Sequence, residues 1–133
     1  MRLSSPSRSV LAVISGAFVL LTVAVSLGYL FSLLAVHLGS GPTSGLSELL
    51  IAVTIGLLAQ IPAGYVVARF APSWPYLHAI ALVVAFSIAA GLLISTGAGP
   101  VDGGLETAAV NLIQLPGILL GVWIHERRTP SEA

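Results

Sequence analysis

Residues 10–36, "VLAVISGAFVLLTVAVSLGYLFSLLAV", carry no charged side chain. A helix rises about 1.5 Å per residue and the hydrocarbon core of a bilayer is about 30 Å thick, so about 20 apolar residues cross it. This run exceeds that length, and it lacks the polar face that a surface helix of a soluble domain keeps toward water. Three further runs qualify, and the expected spans are 10–38, 49–68, 76–95 and 107–124. In lipid every backbone group must find its partner within the protein, which makes isolated apolar segments helices rather than open strands. The sequence therefore predicts an all-α fold, an integral membrane four-helix bundle, with residues 1–133 forming one transmembrane domain. Composition agrees: only 8% of the chain is charged, against about 25% in an ordinary soluble domain.

The arginines predict the orientation. Arg2 and Arg8 precede the first span, Arg69 lies between the second and third, and Arg127 and Arg128 follow the fourth. Cytoplasmic loops carry the excess of positive charge, so both termini are expected on the cytoplasmic side of a cell inner membrane, in a multi-pass arrangement. The two opposite loops hold no arginine, and Glu48, Asp102 and Glu106 cluster there. Trp74, Tyr76 and Trp123 fit an aromatic belt at the cytoplasmic interface. A signal peptide is the competing reading of the N-terminus, but the apolar stretch is too long and no small-residue cleavage site follows it. With no cysteine in the chain, disulfides, thiolate metal sites and cysteine nucleophiles are excluded. The scattered arginines give no electrostatic footprint for nucleic acid.

The two outer loops, "GSGPTSGLSE" and "GAGPVDGGLE", look like copies at an offset of 58 residues. The same offset pairs Gly39 with Gly97, Pro42 with Pro100, Glu48 with Glu106, Ile55 with Ile113, Arg69 with Arg127 and Pro72 with Pro130. Loop chemistry alone accounts for recurring glycine and proline, whereas a constant offset through loop, helix and turn reads as an internal repeat. The units are two tandem helical hairpins of the parallel type, about 15–73 and 74–131, related by a pseudo-two-fold axis along the membrane normal. The second and fourth helices are then equivalent.

Those helices hold the polar mid-span residues. "AQIPAG" and "IQLPGI" each place a glutamine two residues before a proline, at Gln60 and Pro62 and at Gln114 and Pro116. Proline removes a backbone donor and predicts a kink in each helix. Interhelical hydrogen bonds among Gln60, Asn111 and Gln114 are worth about 1 kcal/mol each in a bilayer. The favoured reading is that these residues glue the bundle; the alternative is that they bind a neutral or weakly polar solute. Small or polar stripes recur on every helix: Ser15, Thr22, Ser26 and Tyr29; Gly56, Gln60 and Gly64; Ala81, Ala85 and Ala89; and Thr107, Asn111, Gln114, Ile118, Gly121 and His125. These four faces are expected to meet. No acid or arginine lies near the middle of a span, which argues against proton- or cation-coupled transport.

Other candidate chemistry is weaker than its structural explanation. His78 and His125 both fall near cytoplasmic span ends, but without ligand spacing they read as interfacial anchors rather than a metal or haem site. "HERR" at 125–128 reads as a helix end whose cations suit the dipole, with anionic lipid headgroups as a further contact. Glu48 and Glu106 are candidates for an outer mouth that binds or gates a cation, although first-turn acids commonly just stabilise a helix N-terminus. Asp102 reads as a cap or turn residue. Neither glycine loop carries a phosphate-binding pattern, and no triad or paired carboxylates suggest an enzyme. No cofactor and no metal site are expected.

"GYVVARFAPSWPYLHA", with Gly64, Tyr65 and Arg69, resembles a step that ends the second helix in uncharacterised small bacterial four-span membrane proteins. The resemblance covers about a fifth of the chain and implies no activity. In size and span number the chain also resembles small multidrug transporters, but it lacks their embedded glutamate in the first helix, and its arginine bias opposes a dual topology. The functional expectation is a non-enzymatic membrane protein, a structural or accessory subunit or a homo-oligomer, with the lipid bilayer and a membrane-protein partner around it. The alternative is a small transporter or channel with a polar centre between the second and fourth helices.

Overall fold

The computed structural model describes residues 5–37, 46–96 and 104–128. These form four helices: α1 (Ser5–His37), α2 (Leu46–Phe70), α3 (Pro75–Ser95) and α4 (Gly104–Arg128). Each overruns or matches its expected span, because the polar residues at the ends continue the helix beyond the apolar stretch. Three are long and apolar enough to cross a membrane: Pro6–His37, Leu50–Phe70 and Pro75–Leu92. The protein is thus an all-helical membrane protein. At 33 residues, α1 extends about 50 Å, well beyond a hydrocarbon core of about 30 Å, and it must tilt or protrude.

Apolar surface faces outward. Phe18, Val25, Tyr29 and Ile88 are each 59–69% exposed, an arrangement that costs nothing when lipid rather than water surrounds the helices. Among the described residues, the core is small and lies toward the end where α1 and α3 begin and α2 and α4 finish. One cluster joins Val67 and Ala68 of α2, Ala79, Leu82 and Val83 of α3, and Ile118 and Val122 of α4, with Val13 and Ala17 of α1 against it. A second joins Leu20 to Ala59 and Ala63. The central helix is α2, packed along α4 and along α1, while α3 touches all three.

The connection between α2 and α3 is short and specific. Ala71 N–H donates to the Val67 carbonyl at 2.9 Å and closes α2. Trp74 has φ 53°, the left-handed region that a non-glycine residue enters only at a cost. Its carbonyl then accepts from Leu77 N–H at 2.9 Å and His78 N–H at 3.3 Å, and Pro75 takes the first helical position, where its missing donor is harmless.

Candidate functional site

Among the described glycines, the closest approaches to another helix's backbone lie in the α2–α4 seam. A methyl group on Gly64 would strike the Ile118 carbonyl, and one on Gly121 would strike the Ile61 carbonyl and lie 2.8 Å from Tyr65 N and 3.0 Å from Gly64 Cα. The two collisions are reciprocal: Ile61 and Gly64 on α2 correspond to Ile118 and Gly121 on α4, each pair 57 positions apart. Each helix buries its glycine under the other's isoleucine carbonyl. This is how parallel helices with small residues approach backbone to backbone in lipid. The loop-derived offset of 58 sets Gly64 opposite Val122 instead.

Gln60 sits in this seam. It is 2% exposed, and its Oε1 lies 2.6 Å and its Cβ 3.0 Å from where a methyl on Gly117 would be. Gly117, the residue after Pro116, therefore leaves the room that the glutamine amide fills. The amide is engaged rather than left without a partner, as burial in lipid demands. Pro62 and Pro116 both lie inside continuous helices. Asn111 and Gln114 belong to α4, but their side chains, like those of Glu48 and Glu106, fall outside the described residues. The proposed polar centre thus has Gln60 placed in the seam, while the outer mouth and the glycine loops lie outside what is described.

Of the four stripes, two meet. Gly64 on α2 and Ile118, Gly121 and His125 on α4 face one another, the last with its ring edge-on to Tyr65 at 5.1 Å between centroids. The other two point away. Ala81, Ala85 and Ala89 are exposed, and α3 buries Ala79, Leu82 and Val83 instead. Thr22, Ser26 and Tyr29 are likewise exposed, and α1 buries Ala12, Gly16 and Leu20. Several hydroxyls of α1 and α2 are satisfied within their own helix. Ser15 Oγ donates to the Leu11 carbonyl at 2.7 Å, Ser32 Oγ to the Gly28 carbonyl at 3.0 Å and Thr54 Oγ1 to the Leu50 carbonyl at 2.7 Å. A hydroxyl satisfied by its own helix has no need of the bundle interior.

Several charged and aromatic side chains interact where α3 begins and α4 ends. Tyr76 Oη donates to Glu126 Oε2 at 2.8 Å, tying the start of α3 to the end of α4. Arg127 stacks its guanidinium 4.2 Å from the centre of the Trp123 ring, within cation–π range. His78 and His125 share this end but not a site. His78 Nδ1 lies 3.1 Å from the Trp74 carbonyl, and its ring lines a groove with Ser9, Val10, Val13, Ile14 and Ala81, whereas His125 packs on Tyr65. Among the described residues no group of three histidine or carboxylate side chains is placed to hold a metal ion. A second apolar groove, of about 290 Å³, runs between α2 and α4 and ends at Arg128. Sequence reasoning missed it, although Ile61, Pro62, Tyr65 and Val66 share a helical face at spacings of one, four and five.

No family model, no curated protein and no solved structure matches the chain.

Proposed function

We propose that this chain is a non-enzymatic multi-pass protein of the cell inner membrane that acts as a structural subunit, either as a homo-oligomer or beside another membrane protein, with both termini cytoplasmic. One observation carries the reading: Gln60, the mid-span polar side chain, is 2% exposed and packed against Gly117 in the α2–α4 seam. A side chain that binds a passing solute needs an opening beside it, whereas Gln60 serves as filler between two helices. The exposed, small outer face of α3 at Ala81, Ala85 and Ala89 supports the subunit role, because small residues let a second helix approach closely.

The test is native mass spectrometry of the protein released gently from membranes. A fixed protomer count or a partner complex, without a retained polar solute, is the expected result. A monomer carrying a stoichiometric small solute that Gln60→Leu abolishes, with the helix content unchanged, would overturn the reading in favour of transport.

A further inference from the structure

We infer that the groove between α2 and α4 at the arginine-bearing end is a binding site for one anionic phospholipid, with its acyl chain against α2 and its phosphate on Arg128. The walls are Ile61, Pro62, Tyr65 and Val66 of α2 and Ile124 of α4, and among the described residues Arg128 is the one charged side chain that lines the groove. Five positions separate Ile61 from Val66, so the apolar channel runs about 7 to 8 Å along the helix toward mid-span. That length takes the upper part of an acyl chain and leaves the headgroup at the level of the helix end.

Charge complementarity identifies the occupant. The neighbouring charges are already committed: Glu126 accepts from Tyr76 and faces α3, and Arg127 lies over Trp123. Arg128 has no ion-pair or hydrogen-bond partner among the described residues, and neither does the Tyr65 hydroxyl. With no acid beside it among the described residues, an arginine at the mouth of an apolar channel in a membrane protein presents its planar fork to phosphate oxygens, which it binds in paired hydrogen bonds. Basic pockets between transmembrane helices select anionic headgroups in this way. Pro62 forms part of the apolar wall.

The experiment compares lipid retention by the full chain in mixed micelles that contain phosphatidylglycerol or phosphatidylcholine with the same acyl chains, read by native mass spectrometry. The wild-type chain should retain one phosphatidylglycerol in preference to phosphatidylcholine, and inorganic phosphate should not displace it. Arg128→Ala should weaken retention about five- to tenfold, and Val66→Trp, which fills the channel and leaves the arginine, should abolish it. Arg8→Ala, at the same end but outside the groove, should change nothing. Circular dichroism checks that each variant keeps its helices, and Arg128→Lys provides a second, milder probe with partial retention expected. Equal retention of both lipids, displacement by inorganic phosphate, or an equal loss in Arg8→Ala and Arg128→Ala would overturn the proposal.

Discussion

The α2–α4 seam and the outer face of α3 are built from the same kind of sequence, small residues at every third or fourth position, yet one brings backbone against backbone and the other is left exposed among the described residues. At the seam, Gly64 and Gly121 bury their Cα atoms under opposing isoleucine carbonyls. On α3, Ala81, Ala85 and Ala89 are exposed, while the bulkier Leu82 and Val83 turn inward. Lipid accounts for the difference. In water an alanine face and a leucine face differ in which one is driven inside, but against acyl chains both are equally at home. What then decides is how closely backbones can approach, and glycine permits a distance that alanine does not.

The largest effect is expected from breaking the seam where backbone meets backbone. Gly64→Val or Gly121→Val places a side chain on a carbonyl that cannot swing aside, so α2 and α4 must separate. Each should cost about 3 kcal/mol or more, seen as a lower midpoint in detergent-denaturation curves followed by tryptophan fluorescence. The two substitutions touch the same contact, and the double variant should lose less than the sum. Gly16→Ala is the sharper comparison. Its methyl meets Val67 Cγ2 and lies 3.0 Å from Leu82 Cδ2, side-chain rather than backbone atoms, and about 1–3 kcal/mol is expected.

Removing the filler comes next. Gln60→Ala empties space beside Gly117 and takes away an engaged amide, so a loss of about 1–2 kcal/mol is expected by the same denaturation measurement. Gln60→Ala combined with Gly117→Ala should recover part of it, because the added methyl enters the vacated volume. Tyr76→Phe cuts the single exposed hydrogen bond to Glu126 and should cost about 0.5 kcal/mol. At the far end of the scale, Ala85→Leu should leave monomer stability within about 0.5 kcal/mol. If it changes the protomer count by native mass spectrometry, the α3 face is where a second chain packs.

The helices were legible because a charge-free run of the right length has one solution in a bilayer. The α2 half of the seam was legible in Gln60 and Gly64 at fourth-residue spacing, and the α4 half in Ile118, Gly121 and His125. The inward faces of α1 and α3 were not. Ser15 bonds back to Leu11 and Ala12, so its polarity says nothing of the interior, and α3 has too uniform a hydrophobic surface to declare a side. The reciprocal pairing of Ile61 and Gly64 with Ile118 and Gly121 was hidden by the loop match at 58, one residue and therefore about 100° away from the register at which the helices touch. Arg128 read as a dipole-compensating helix end, and only the packing of α4 against α2 reveals that it closes an apolar channel.

The most direct test of the seam uses the absence of native cysteine. The position of a methyl on Gly117 lies 3.0 Å from Gln60 Cβ, within about half an ångström of the Cβ separations that disulfides span. Gln60→Cys combined with Gly117→Cys should form an intramolecular disulfide under mild oxidation in membranes, detected as a two-dalton mass loss in the monomer and as α2 and α4 fragments that stay joined after cleavage between them. A free dithiol, or a covalent dimer in place of the internal bridge, would contradict the α2–α4 seam as the core of this protein.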